Sequence, residues 1–269
     1  MLVIGENINA SNRKVGEAIA RKDHEFIADL VRKEAEAGAD YIDVNAGSAQ
    51  GCWQSPEAAM EWLVDVVVSV TDKPLAIDSD MPSVIGAGLR RYRGDKVMIN
   101  SVNAEPDRLL SVGALAAGHG GLVIALAMGA GNIPKRAEER LDACKSIMAE
   151  LNRMGVREEQ VLFDPLVLPV SVDTSQAVVT LKTIEGIKSC FPSAGTVAGL
   201  SNVSYGLPNR AMVNRAFLLM AAAVGLDAAI LNPLDAKMMS FVAVADLLAG
   251  KDPAGRGYIR AHRRGMLTS

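Results

Sequence analysis

The sequence predicts a single closed parallel barrel of eight β/α units, a (β/α)8 or TIM barrel occupying residues 1–269 as one domain. Three observations predict it. Eight short apolar runs recur at a spacing of roughly 30 to 35 residues, the length of one strand, one helix and their connections. Each run ends in polar or glycine-rich residues and passes into a helical pattern. Finally, 269 residues that are 49% hydrophobic but only 4% aromatic can bury one large core of Ala, Val, Leu, Ile and Met. A doubly wound open sheet usually has fewer strands and a glycine-rich dinucleotide loop after the first, and Gly5-Glu6-Asn7-Ile8-Asn9 is no such loop.

The first strand is read at 2–9. Asp23 is placed to cap the helix that follows, whose apolar face uses Phe26, Ile27, Leu30 and Val31 before Gly38 stops it. The second strand, 41–45, leads to a helix begun by Ser55-Pro56, and the third, 75–80, to one begun by Pro82. The fourth, fifth and sixth are read at 97–101, 121–128 and 161–165, and the eighth at 228–233. The seventh, 196–202, starts with residues so small that both of its faces must be tightly packed, then turns polar at Ser201 and Asn202. Pro208 suits the first turn of a helix through Ala211, Val213, Phe217 and Met220. The tail, 251–269, carries Arg256, Arg260, Arg263 and Arg264 without a strand pattern and reads as a basic arm or closing helix.

Composition excludes several functions. A net charge of −3 argues against nucleic acid as a partner. No apolar run reaches about 18 uninterrupted residues, so no membrane span is expected. Cys52, Cys144 and Cys190 are odd in number, far apart and without metal spacing; with no signal-peptide pattern, they predict a reduced, cytoplasmic protein. His24 is read in a helix, His119 in a turn before the fifth strand and His262 in the tail, all away from strand ends. Without H-E-x-x-H, G-x-S-x-G or a P-loop, metal-dependent hydrolysis, serine-type acyl transfer and phosphoryl transfer lack their groups, and no bound metal is expected.

Asp43, Asp78, Asn100, Asp164 and Asn202 each end an apolar run. Any one of them could cap a helix or satisfy loop amides. A barrel, however, gathers all five around the mouth at the carboxyl ends of its strands. The set has no basic residue, histidine or thiol, and it suits a flat, neutral, donor-rich heterocycle. A carboxylate accepts two hydrogen bonds from an amino-pyrimidine edge, and an amide both donates and accepts.

The segments G-E-N-I-N, D-V-N-A-G, I-D-S-D, M-I-N-S-V-N-A-E, D-P-L-V-L-P and G-L-S-N-V-S, with P-N-R beyond, resemble the pterin-binding methyltransferases, which move a methyl group between tetrahydrofolate and a corrinoid protein. The resemblance runs from residue 1 to about 248, with its motifs in the family's order. It implies a pterin-binding barrel with tetrahydrofolate or methyltetrahydrofolate as substrate, a corrinoid (cobalamin) carried by a partner protein, and no metal held by the chain. It implies Asp78, Asn100 and Asp164 as ligands of the pterin ring. It also implies Asn202 as a pterin ligand and the catalytic amide near nitrogen 5. Asp43, from the strand-end pattern, and Asn7 are further candidate residues of the mouth. Departures lie at Asn7, where acetogenic members have a basic residue, at Gly129-Ala130-Gly131-Asn132 and at Asn232-Pro233; they bear on the partner and the direction of transfer.

The chemistry agrees with an amide. A tertiary amine leaves poorly unless its nitrogen is protonated or strongly hydrogen-bonded as the bond breaks, and asparagine assists without titrating. Two other readings stand beside this one. Dihydropteroate synthase would want a lysine and an arginine at the seventh and eighth strand ends, where this chain has Asn202 and Asn232. The other is a barrel that binds folate or scaffolds the corrinoid protein without turnover. The run Met220-Ala221-Ala222-Ala223-Val224 predicts a homodimer through a close alanine-rich helix face.

Overall fold

A computed structural model describes residues 1–48 and 51–268. Its strands are β1 (Leu2–Asn9), β2 (Tyr41–Asn45), β3 (Leu75–Asp78), β4 (Val97–Val102), β5 (Leu122–Leu126), β6 (Val161–Asp164), β7 (Gly195–Gly199) and β8 (Ala228–Leu231). They pair in parallel in sequence order, and β1 with β8 closes the barrel. Around it lie α1 (Arg13–Ala20), α2 (His24–Glu36), α3 (Pro56–Val68), α4 (Pro82–Arg91), α5 (Pro106–His119), α6 (Ala137–Arg153), α7 (Gln176–Cys190), α8 (Arg210–Ala223) and α9 (Ala236–Leu248), with α10 (Arg256–Arg263) packed on α9. Proline opens α3, α4 and α5, where its missing N–H costs nothing.

Four local features differ from the sequence reading. The first unit has two helices, because Asn12 caps α1 through Lys14 N (3.0 Å) before Asp23 caps α2 through Phe26 N (3.1 Å). The seventh strand stops at Gly199, and Leu200–Ser204 form a 3-10 turn that contains Asn202. After it α8 begins at Arg210, with Asn209 at the cap in the left-handed conformation, two residues later than Pro208 suggested. His119 is the last residue of α5 rather than part of a turn.

The barrel interior is layered. Ile4, Tyr41, Ala76, Met98, Ile124, Leu162, Val197 and Ala228, one from each strand, form a single buried apolar cluster. Strand side chains alternate, so the residue two positions on faces inward again. That next layer reads Glu6, Asp43, Asp78, Asn100, Leu126, Asp164, Gly199 and Ile230. An apolar floor therefore carries a largely polar storey at the carboxyl ends of the strands. Outside, Ala221 (0% exposed) and Ala222 (3%) pack with Phe217, Leu218, Val242 and Ala245. These alanines are consumed within the chain, and only Met220 of the run identified as a dimer face is a large exposed apolar group.

Candidate active site

On the β2–β4 side the polar storey is crosslinked. Asn100 Nδ2 donates to Asp43 Oδ1 (3.0 Å), and Asn45 Nδ2 donates to Asp78 Oδ2 (2.8 Å). Asp78 and Asn100 are register neighbours on β3 and β4. Each keeps one side-chain oxygen without a protein hydrogen bond among the described residues. Burial pushes the Asp43 carboxyl well above the usual carboxylate range, and the nearby charge of Asp78 adds to the rise. Asp78 is raised by burial against the opposing Asn45 bond and Arg108 charge. Arg108 ties together the loops after β3 and β4: its guanidinium donates to Ser79 O (2.9 Å), Ser101 O (2.7 Å) and Asp80 O.

Asp164 ends β6. Its Oδ1 accepts the Leu166 backbone N–H at 2.8 Å, and Leu166 takes a left-handed conformation with φ 65°, so the chain folds back directly over the carboxyl. Arg140 of α6 holds that turn. Fully buried, it donates to Pro134 O (3.0 Å), Pro165 O (2.9 Å), Leu166 O (2.8 Å) and Gln176 Oε1 (2.9 Å). Burial lifts the Asp164 carboxyl to about 6, with the Leu166 bond and the Arg140 charge opposing.

Asp164 shares a cavity of about 330 Å³ with Asn202, Leu126, Val167 and Tyr205. Asn202 is exposed, and its side chain makes no hydrogen bond to the start of α8, whose cap position belongs to Asn209. The loops that form this side are joined by Val170 N to Val203 O (3.0 Å) and Ser171 Oγ to Tyr205 O (2.6 Å).

Between β7, β8 and β1 lies a second cavity of about 300 Å³, lined by Glu6, Ser201, Arg210, Asn214, Asn232 and Asp235 among others. Burial pushes the Glu6 carboxyl up to about 7 against the charge of Arg210. Arg210, the arginine of P-N-R, donates to Ser201 O (2.6 Å) and Ser204 Oγ (3.1 Å). Asn7 is held by Glu34 of α2 and by Asn232. A larger cavity, about 430 Å³ around Pro74, Tyr92 and Lys96, precedes β3 and β4 at the opposite end of the barrel and holds none of these groups.

The structure thus brings Asp43, Asp78, Asn100 and Asp164 into one layer, with Asn202 lining the same cavity as Asp164 and Asn7 in β1. Sequence reasoning did not single out Glu6, Asn45, Glu34, Arg108 or Arg140 for the site. Glu6 and Asn45 carried a signal, since each sits two residues beyond an inward-facing position. Among the described residues no group of three or more His, Cys, Asp or Glu is arranged to hold a metal ion.

Residues 5–232 match the pterin binding enzyme family, a span that runs from the middle of β1 to the residue after β8 and encloses every strand end above. The chain belongs to that family. This pterin-binding barrel is 32% identical over 272 residues to a methylcorrinoid:tetrahydrofolate methyltransferase of Eubacterium limosum, covering 99% of this chain and 98% of the relative. It is 28% identical over 245 residues to a methionine synthase of Mycobacterium tuberculosis, covering 86% of this chain but 20% of that protein. Among solved structures, a dihydropteroate synthase of Coxiella burnetii in complex with pteroic acid superposes with a TM-score of 0.69 at 13% identity, over 93% of this chain and 94% of that one. The Xanthomonas albilineans dihydropteroate synthase in complex with 7,8-dihydropteroate gives 0.64 at 20% identity, over 92% of each. At those identities the likeness is one of fold.

Proposed function

We propose that this chain is a methyltransferase that moves a methyl group between nitrogen 5 of tetrahydrofolate and the cobalt of a corrinoid carried by a partner protein. The observation that carries the reading is the end-to-end similarity to a methylcorrinoid:tetrahydrofolate methyltransferase. The acceptor set fits the pterin: Asp78, Asn100 and Asp164 keep unpaired oxygens over an apolar floor, the arrangement that a donor-rich flat ring requires. Dihydropteroate synthase chemistry is disfavoured by the amides Asn202 and Asn232 where a pyrophosphate would call for cations.

The corrinoid supplies the metal centre that gives or takes the methyl group. What this chain supplies is position and polarity. Asp78, Asn100 and Asp164 orient the ring, Asp43 holds the Asn100 amide, and Asn202 presents an uncommitted amide to nitrogen 5 from the cavity that also holds Asp164. Burial lifts the Asp164 carboxyl to about 6, so above that pH it stands ionised as an acceptor for the ring's donors. That cavity opens past the exposed Tyr205, the side from which a second protein reaches it.

The same reading treats residues 1–269 as one domain with α10 as its closing helix, acting as a cytoplasmic homodimer. With Ala221 and Ala222 buried, the dimer rests on the exposed Met220, and a monomeric mass in light scattering removes it.

The test is single-turnover transfer between tetrahydrofolate and a purified methylated corrinoid protein, followed by the corrinoid's absorbance. Asn202→Ala should slow transfer about a hundredfold or more while changing folate affinity far less, since only interactions stronger in the transition state accelerate the step. Equal losses in rate and affinity would make Asn202 a binding residue only. Folate binding with no transfer in either direction would leave the scaffold reading.

A further inference from the structure

At the seam between β8 and β1, three side chains form a relay that the pterin-facing set does not use. Glu34 stands on the buried face of α2 with Ile27 and Val31, a position that an amphipathic helix gives to an apolar residue. It is fully buried, and its carboxyl lies against Gly5, where an added Cβ would sit 2.7 Å from Oε1; glycine is what admits it. Oε1 accepts both the Asn7 backbone N–H (3.0 Å) and Asn7 Nδ2 (2.9 Å), whereas Oε2 is buried without a partner. No cation pairs with it among the described residues, so these bonds are what offsets its burial.

The second hydrogen of Asn7 Nδ2 goes to Asn232 Oδ1 at 2.7 Å, and the same oxygen accepts the Leu234 backbone N–H at 2.9 Å. Backbone therefore sets the polarity at both ends. The Asn7 and Leu234 N–H groups can only donate, so Glu34 Oε1 and Asn232 Oδ1 must accept, and the Asn7 amide can sit in one sense only. With both Nδ2 hydrogens committed, Asn7 Oδ1 remains as an acceptor. With its own oxygen committed, Asn232 Nδ2 remains as a donor. Neither of these atoms is buried or has a protein partner among the described residues, and Asn232 lines the cavity of about 300 Å³.

We infer that this relay is a specificity device for the folate, in which Asn7 and Asn232 offer an adjacent acceptor and donor to an amide edge and Glu34 is the residue that positions them. The identity of the ligand rests on the methyltransferase reading. Tetrahydrofolate carries such an edge in the lactam of the pterin, where N–H and C=O lie side by side; the trans amide of its p-aminobenzoylglutamate tail turns the two to opposite sides and can engage Asn7 or Asn232 but not both. Titration of Glu34, whose carboxyl burial lifts to about 7 against the two Asn7 bonds and with the Glu6 charge assisting, does not reverse the relay, because the carbonyl oxygen of the neutral acid accepts as the carboxylate does.

Calorimetric titration with tetrahydrofolate and with a tetrahydropterin lacking the tail tests it in Asn232→Ala, Glu34→Leu and Glu34→Gln. Loss of one hydrogen bond predicts about three- to tenfold weaker binding for Asn232→Ala. Glu34→Leu, which frees Asn7 to rotate, should weaken binding as much. Glu34→Gln should restore it, because the glutamine oxygen accepts the same two bonds. Weakening confined to tetrahydrofolate assigns the tail amide, held by one of the two side chains; weakening on both ligands assigns the lactam. Unchanged affinity for both ligands in Asn232→Ala, or Glu34→Gln as weak as Glu34→Leu, overturns the inference. Melting curves identify any variant that fails to fold, and if Glu34→Leu does, the other two still decide. Failure of the folate-binding part of that reading looks different: the unaltered protein would bind neither ligand, and Asp164→Ala would change nothing.

Discussion

Replacing Asp164 by asparagine should make the barrel more stable and a poorer pterin binder at the same time. Burial lifts this carboxyl from an ordinary 3.8 to about 6, and a pH unit corresponds to ~1.4 kcal/mol, so the ionised form costs the folded state up to ~3 kcal/mol. Water in the cavity screens part of this, which leaves about 1 to 3 kcal/mol to recover. The sign follows from linkage. Between about 4 and 6 the unfolded chain ionises while the folded one keeps its proton, so stability falls through that window and the full cost stands above it. Asparagine keeps an oxygen for the Leu166 N–H and removes the charge. Urea denaturation should therefore show Asp164→Asn more stable than the unaltered chain at pH 7.5 and equal to it near pH 3.5. A variant that is destabilised at pH 7.5, or that gains equally at both values, would refute the burial argument. Folate affinity should fall about tenfold or more, because an amide donor now faces ring donors where a charged acceptor stood.

Two further changes test the supports of the site. Arg140→Met removes the donors that hold the Pro134, Pro165 and Leu166 carbonyls and the Gln176 side chain, so it should cost about 3 to 5 kcal/mol in denaturant melts; a loss under about 1 kcal/mol would mean that the turn over Asp164 holds itself. Gly5→Ala drives a methyl group into the Glu34 carboxyl and should cost about 1 to 3 kcal/mol, with part of it recovered in the double variant with Glu34→Ala; additive losses would show that the two do not touch.

The strand ends were legible because one rule places them. Asp43, Asp78, Asn100 and Asp164 lie two residues beyond Tyr41, Ala76, Met98 and Leu162, so a period of two carries them inward above an apolar floor. Glu6 obeys the same rule above Ile4, but Ile8 prolongs the apolar run and a bulge between Gly5 and Ile8 breaks the register there. The end of β7 was placed three residues late for a related reason: Leu200 and Val203 stay buried in the 3-10 turn and look like a continuing strand. Arg108 and Arg140 had no local signal. Their partners include carbonyls 28 and 26 positions away in the chain, which only the closed barrel brings near. Glu34 did carry a sign, a carboxyl at a core position of an amphipathic helix, but its meaning needed the backbone of Asn7.

The cations around the mouth explain how so many acids remain available to a ligand. Arg108 is committed to Ser79, Asp80 and Ser101 carbonyls, Arg140 to those of Pro134, Pro165 and Leu166, and Arg210 to Ser201 O and Ser204 Oγ. Among the described residues none of them forms an ion pair with Glu6, Asp43, Asp78 or Asp164, although Arg210, Arg108 and Arg140 lower the carboxyls of Glu6, Asp78 and Asp164 through space. A direct pair would have filled the acceptor oxygens that a donor-rich ring must reach. Charge held one step back, on the backbone of the loops, moderates the repulsion among these carboxylates and leaves their oxygens open. The cost is the elevated affinity of these groups for protons, which burial raises and the distant guanidinium groups only partly offset.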